Sequence, residues 1–263
     1  MLFCIYLPAQ SQSKGSTGKA ITKNFFIDLG GTYSTFQDTK YSDVRENGMG
    51  AILKLGYNNL KTGKHFWEAG FDFNFTKNNA STHNEGGSMT IYPNIYFKYL
   101  RGLNKKIYLG ARVDIYDNYI RSYSNLQNNA TFATAGNYLY GSVLYQTTIN
   151  DNWRFKATGD LALIGIQNEG TGFAMSYSQN RIEQGNVDYQ DPSMGDPSNY
   201  KYSKFKYIGN NFILKTEYSF MFKKRMSVAY NWEMRRFAVV SGYPTTWGIH
   251  NIVFRFNIIH REK

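Results

Sequence analysis

Residues 65–74 read HFWEAGFDFN, and the order of side chains in this stretch indicates the fold of the chain. Trp67 and Phe71 occupy alternate positions on one side of the stretch, whereas Glu68 and Asp72 occupy the other side. Successive side chains of a β-strand point to opposite faces. The stretch is therefore predicted to be a strand with one apolar face and one charged face.

The same alternation recurs towards the C-terminus, interrupted by turns rich in Gly, Asn and Lys. About ten strands are predicted, at 23–37, 48–58, 65–75, 88–100, 105–118, 136–149, 153–166, 207–222, 226–240 and 246–259. Many long strands, each with one apolar face, predict an all-β fold that closes as an antiparallel up-and-down transmembrane β-barrel. In an alternative with twelve strands, residues 174–179 contribute a further hairpin.

Composition excludes a helical membrane protein and supports long strands. The mean hydropathy is −0.49, and the sequence has no apolar run near the roughly 18 residues that a membrane helix needs. Aromatic residues make up 17% of the chain and only 5 residues are Pro, which fits long strands with aromatic belts. Cys4 is the only cysteine, so an internal disulfide is excluded.

The 263 residues are interpreted as one structural domain with a short N-terminal extension. Residues 1–10 contain a short apolar stretch that ends in Pro-Ala-Gln, which predicts the remnant of a secretion signal. Residues 11–22 are polar and predict a flexible leader. The barrel domain is then expected to span residues 23–263.

The predicted connections alternate between short and long. The short turns are 59–64, 101–104, 150–152 and 223–225, and the long loops are 38–47, 76–87, 120–135 and 167–206. Outer-membrane barrels have short periplasmic turns and longer extracellular loops. The order of turns in this chain therefore predicts that both termini are periplasmic.

Basic residues concentrate in the leader, the short turns and the C-terminal tail. Together with Lys23, Lys105 and Lys106 at the adjoining strand ends, these segments hold 13 basic and two acidic residues, which accounts for the whole formal net charge of +11. A ring of basic turns predicts contact with phospholipid head groups or with an acidic envelope protein. A simple preference of tight turns for Lys explains the pattern equally well. Nucleic acid is not an expected partner, because the charge forms neither a groove nor a helix face.

Alternation alone does not distinguish a membrane barrel from a soluble one, because a lipocalin-like barrel turns its charged face to water. Aromatic residues near the predicted short turns favour a membrane. They are Tyr57, Trp67, Tyr99, Trp153 and Phe222. The last predicted strand contains Phe254-Arg255-Phe256, an aromatic-rich ending.

With these features, residues 23–259 resemble bacterial outer-membrane β-barrels. The Pro-Ala-Gln ending of the signal and the Asn-, Tyr- and Lys-rich strands look like proteins of Bacteroidetes-type bacteria. The resemblance implies a location in the outer membrane of a Gram-negative cell. It assigns no subfamily or ligand, because many functions share this architecture.

The charged face of the predicted strands would point into the barrel lumen, where acidic and basic residues can pair. The predicted lumen ion-pair network consists of Asp28, Lys54, Glu68, Asp72, Arg112, Asp114, Arg154, Lys156, Asp160, Lys215, Glu217, Glu233, Arg235 and Arg255. The same charges could instead line a polar channel. A barrel of about ten strands leaves little room inside, which favours a plugged lumen.

The sequence predicts neither a metal site nor a cofactor, because its four histidines lack the spacing of metal ligands. A barrel protease resembling the omptins would need paired Asp residues and a His-Asp pair at the extracellular rim. Asp72, Asp117 and His250 fall near that rim without forming such a motif. The protein is therefore predicted not to be an enzyme, with a surface protease or lipase as the alternative.

The segment 167–206 is the strongest candidate for an extracellular binding loop. Loops of this length are usually functional or disordered, and tyrosines among small polar residues make adaptable contact surfaces. Its aromatic residues are Phe173, Tyr177, Tyr189, Tyr200 and Tyr202. The predicted function is non-enzymatic binding or envelope-complex assembly, with a small-solute channel as the main alternative.

Overall fold

The computed structural model describes residues 21–38, 45–80, 88–123, 131–150, 152–172, 201–207, 211–222, 225–240 and 243–262. These residues form eleven strands: β1 (Ile21–Asp38), β2 (Glu46–Lys61), β3 (His65–Ala80), β4 (Ser88–Gly102), β5 (Ile107–Tyr123), β6 (Thr131–Asn150), β7 (Trp153–Gly172), β8 (Lys201–Tyr207), β9 (Phe212–Phe222), β10 (Met226–Val240) and β11 (Tyr243–Glu262). No helix in the described ranges is long and apolar enough to cross a membrane.

The strands form one closed antiparallel sheet. From β1 to β7, and again from β9 to β11, each strand pairs with the next along the chain, and β11 pairs with β1 to close the ring. Two strands share one position, because Tyr207 of β8 pairs with Ile164 of β7, and Leu214 of β9 pairs with Leu161. The predicted all-β, ten-strand antiparallel up-and-down barrel is therefore confirmed.

Strand ends differ from the prediction mainly at the long loops. The predicted loop 167–206 is wrong at both ends, because β7 continues to Gly172 and β8 begins at Lys201. Backbone pairing continues there although the apolar alternation has stopped, so the sequence pattern ended too early. The hairpin suggested within 174–179 lies outside the described residues.

The two faces of the barrel wall differ in polarity. On the outer face, the side chains of Leu29 and Phe254 are 50% and 51% exposed. On the inner face, their chain neighbours Asp28 and Arg255 are 0% and 4% exposed. Because the side-chain period is two, the alternation in the sequence becomes an apolar exterior and a charged interior.

Glycines on the inner face make room for large side chains that lie against the wall. A Cβ at Gly70 of β3 would lie 2.6 Å from the hydroxyl oxygen of Tyr96 on β4. A Cβ at Gly56 of β2 would similarly meet the ring of Phe26 on β1. The absence of a side chain at these positions thus lets aromatic rings enter a narrow lumen.

Candidate functional site: the filled lumen

The centre of the lumen is crossed by ion pairs between strands that are not neighbours in the wall. Arg235 of β10 donates from Nη1 and Nη2 to the two carboxylate oxygens of Asp117 on β5, at 2.6 and 2.7 Å. Lys215 of β9 donates to Asp114 of β5 at 2.6 Å and contacts Asp117 at 3.4 Å. Glu233 accepts a hydrogen bond from Arg235 Nε. These contacts tie opposite parts of the barrel together.

A second group of charges joins β4, β5 and β7. Lys98 donates to Asp160 at 2.8 Å, and Arg112 lies 3.4 Å from the same carboxylate. Arg112 also donates from Nε to Asp114 at 2.6 Å, which connects this group to Lys215. All five side chains are buried, so each charge depends on its partners for the polar contacts that water would otherwise supply.

The third group lies between β11, β1, β9 and β7. Arg255 holds Asp28 with two hydrogen bonds, of 2.7 and 2.8 Å. Glu217 Oε1 lies between two cations, 3.5 Å from Arg255 Nη1 and 3.5 Å from Lys156 Nζ. Lys156 also lies 3.7 Å from Glu68. The group therefore spans several strands through shared carboxylates.

The structure brings thirteen of the fourteen residues of the predicted lumen network into ion pairs. They include Lys54 and Asp72, whose charged atoms lie 3.7 Å apart on the neighbouring strands β2 and β3. Arg154, the remaining member, also has an interaction partner and lines a cavity at the short-turn end of the barrel. The arrangement places charge inside the barrel and balances it locally.

Sequence reasoning left Asp117 out of the network. The pairing of β5 with β4 and with β6 contains irregularities between Asp114 and Asp117. A bulge shifts the alternation by one residue, so both carboxylates face the lumen although they are three positions apart. A strict period of two would have placed Asp117 on the outer face.

Buried apolar side chains close the lumen towards the long-loop end. Trp247 is the centre of this long-loop plug, with its ring centroid 5.2 Å from that of Tyr92 and 5.4 Å from that of Tyr119. The long-loop plug consists of Phe36, Tyr92, Tyr119, Phe237, Trp247 and Ile249. The long-loop plug was not predicted from the sequence, because alternation assigns apolar side chains to the outer face.

A second apolar cluster lies in the lumen towards the short turns. This short-turn plug consists of the buried side chains of Phe66, Leu100, Tyr108 and Leu144, with Leu60 packed against them. Between the two plugs the charged groups surround a cavity of about 40 Å³. A cavity of this size has room for only a few water molecules. The described side chains thus fill the barrel from one plug to the other.

The candidate hydrolase residues are not assembled into one site. Asp72 pairs with Lys54 inside the lumen, and Asp117 is held there by Arg235. His250 lies on the outer face, where its Nδ1 is 2.7 Å from the hydroxyl of Tyr230. The wall therefore separates the histidine from both carboxylates. Among the described residues, no group of three or more His, Cys, Asp or Glu side chains could hold a metal ion.

Aromatic side chains form a girdle on the outer face at the short-turn end. The ring centroids of Tyr57 and Trp67 are 5.1 Å apart, and those of Trp153 and Phe222 are 4.9 Å apart. Tyr99, also predicted for this belt, is exposed and contacts the ring of His65. The five aromatic residues singled out in the sequence lie at the same end of the barrel.

The predicted extracellular binding loop is only partly described. Tyr202 lies in β8, so its backbone belongs to the barrel wall and not to a loop. The other four aromatic residues, Phe173, Tyr177, Tyr189 and Tyr200, lie outside the described residues.

No family model matches the chain, and no curated protein matches its sequence. Among solved structures, it is similar to the outer membrane protease OmpT from Escherichia coli, with a TM-score of 0.47 and 9% identity over 94% of this chain and 99% of that chain. An outer membrane channel from Pseudomonas putida F1 has a TM-score of 0.39 and 8% identity, over 95% and 99% of the two chains. The translocator domain of the autotransporter NalP from Neisseria meningitidis has a TM-score of 0.39 and 9% identity, over 93% and 90%.

Proposed function

We propose that the protein is a bacterial outer-membrane barrel with a closed lumen, which acts without catalysis through binding or envelope-complex assembly at its two ends. The observation that carries this proposal is the filled interior. Two apolar plugs enclose a charged layer whose cavity measures about 40 Å³. A barrel that is filled by its own side chains offers its rims and loops, and not its lumen, to other molecules.

The polarity of the two faces supports the membrane location. Among strand residues whose side chains the structure describes, outward-facing charges occur only near strand ends, at Lys23, Lys61, Lys77, Arg101 and Arg236. A lysine or arginine that faces lipid at the bilayer midplane costs roughly 2 to 4 kcal/mol, so a lipid environment favours this distribution. The aromatic girdle at the short-turn end supplies the side chains that favour a membrane interface.

The orientation and the binding surfaces follow from the loop lengths. We place the short turns and both termini in the periplasm, since outer-membrane barrels carry their longer loops outside. The connection between β7 and β8 is the longest in the chain and holds Phe173, Tyr177, Tyr189 and Tyr200. Loops on a rigid barrel are suited to recognition, so this connection is the proposed extracellular binding surface. Outer-membrane lipids and another envelope protein are the proposed partners.

Planar-bilayer recording tests the closed lumen. The purified protein, taken from a membrane fraction and shifting its gel mobility on heating, is expected to insert without producing steady single-channel steps. Steady steps would instead support the alternative of a small-solute channel. That alternative is supported by polar side-chain atoms that face the described part of the lumen without a hydrogen-bond partner. Asn74 and Asn231 carry such atoms. Lipid or peptide hydrolysis that disappears on Asp72→Ala would contradict the non-enzymatic assignment.

A further inference from the structure

The short-turn end of the barrel contains a cavity of about 480 Å³, separate from the small cavity between the plugs. Strands β1, β2, β3, β6, β7, β9, β10 and β11 line it, together with the turn between β2 and β3 and the turn between β4 and β5. Leu60 and Phe66 of the short-turn plug contribute apolar surface to it. Its volume lies within the range of roughly 300 to 1,000 Å³ that is typical of small-molecule sites.

The lining of this short-turn cavity carries one sign of charge. Its basic residues are Lys105, Lys106, Arg154, Lys156 and Arg255, and none of the described lining residues is Asp or Glu. Two of these cations are balanced from within the lumen, because Lys156 and Arg255 each contact Glu217 at 3.5 Å. Lys105 and Lys106 are exposed on the turn and bring further positive charge to the cavity. Clefts lined by one sign of charge concentrate ions of the opposite sign.

Neutral groups complete the lining. Asn24 and Asn58 are buried and hydrogen-bonded to each other at 2.9 Å, and Gln146 donates to Tyr108 Oη at 3.2 Å. These contacts fix the orientation of side-chain amides and hydroxyls around the cavity. Met221 adds to the apolar surface of Leu60 and Phe66. The cavity thus combines cations, fixed polar groups and an apolar part.

We propose that the short-turn cavity binds a water-soluble organic phosphate that carries an apolar portion. Phosphate oxygens accept charge-assisted hydrogen bonds from lysine and arginine, and the apolar portion would lie against Leu60, Phe66 and Met221. The ligand would enter from the aqueous side, because lining residues come from most strands of a closed wall and the aromatic girdle lies outside that wall. This inference goes beyond the proposed function and does not depend on a closed lumen.

Calorimetric titration of the full-length barrel in zwitterionic detergent with 1-naphthyl phosphate tests the proposal. The expected result is saturable binding with one site per chain, weakened by salt, and no comparable binding of uncharged 1-naphthol. The double variant Lys105→Gln/Lys106→Gln is expected to bind about tenfold more weakly, since it removes two cations from the cavity.

The matched control is Lys23→Gln/Arg101→Gln. It removes the same charge from the same end of the barrel, but both side chains are exposed and neither lines the cavity. Its affinity for 1-naphthyl phosphate is expected to stay within about twofold of the wild type, since these two charges lie outside the cavity and act on the ligand only through screening solvent. The heat-dependent gel shift of each variant reports that the barrel is folded.

Three outcomes would overturn the proposal. Equal losses in the two double variants would show attraction by general surface charge, and equal binding of 1-naphthol would remove the role of the phosphate. The third concerns the source of the phosphate. In nanodiscs, competition against 1-naphthyl phosphate by phosphatidylglycerol but not by phosphatidylcholine would assign the cavity to a lipid head group in place of a water-soluble ligand.

Discussion

The residues that decide the character of this barrel are the charged side chains of its interior. Asp114, Asp160 and Arg235 are almost completely buried, and each contacts at least one opposite charge. Breaking a buried pair from one side is costly, because the remaining charge keeps its desolvation penalty without its partner. The interior is therefore more sensitive to the loss of one partner than to the loss of both.

The pair Arg235 and Asp117 provides the first test at this scale. Arg235→Leu leaves Asp117 with the hydrogen bond from the Tyr92 hydroxyl at 3.0 Å and the contact to Lys215 at 3.4 Å, but without its bidentate cation. The variant is expected to lower the free energy of unfolding by about 3 to 5 kcal/mol. Urea-induced unfolding in detergent measures the change. Adding Asp117→Leu should recover much of the loss, since no unpaired carboxylate then remains in that pair.

Arg236 is the control for this prediction. It follows Arg235 in β10 and is exposed on the outer face, so Arg236→Leu removes the same charge without touching the lumen. Little change in the urea midpoint is expected. A loss in Arg236→Leu as large as that in Arg235→Leu would mean that the cross-lumen pair is not the cause.

At the scale of single strands, glycines on the inner face leave room for the large side chains of neighbouring strands. Gly70→Ala on β3 places a methyl group against the ring of Tyr96 on β4 and is expected to lower stability by about 1 to 3 kcal/mol, as overpacking does. The double variant Gly70→Ala/Tyr96→Leu should relieve the clash. Gly31→Ala on β1 is the matched control, because a Cβ at Gly31 meets no described atom within 4 Å. Equal losses of unfolding free energy in the two alanine variants would contradict the packing argument.

The sequence was sufficient to predict the elements that follow strict alternation. The outward position of Leu29, Val228 and Phe254 could be predicted, because each lies in a run of period two. The inward position of Asp117 could not, since a bulge in β5 changes the phase of the alternation. The inward position of Trp247 could not be predicted either, because the apolar side chains around its ring come from other strands. The short-turn cavity could not be predicted from the sequence, because its lining residues come from eight strands and two turns.

At the scale of the whole molecule, two apolar plugs lie in series in the lumen. Either plug alone is expected to prevent the passage of ions, because each places bulky apolar side chains in the lumen. Phe36→Ala/Trp247→Ala at one end, or Phe66→Ala/Leu100→Ala at the other, is therefore expected to leave the protein without steady conductance. The quadruple variant is expected to conduct when recorded in a planar bilayer.

The heat-dependent gel shift and the conductance of the variants together distinguish the possible outcomes. The heat-dependent gel shift must persist in the quadruple variant, which shows that the barrel still folds after losing four large side chains. A folded quadruple variant without conductance would show that the charged layer between the plugs prevents the passage of ions. Conductance in either double variant would mean that the other plug does not seal the lumen.

Ion pairs between residues that are far apart in the sequence also bear on how the barrel forms. Arg235 and Asp117 are 118 residues apart in the chain, and Arg255 and Asp28 are 227 residues apart. Neither pair can form until distant strands have come together, and contacts of long sequence separation slow folding. In the proposed membrane location, an open sheet would carry these charges without their partners into lipid. The charges inside the wall thus favour closure of the ring as a single cooperative step, completed when β11 meets β1.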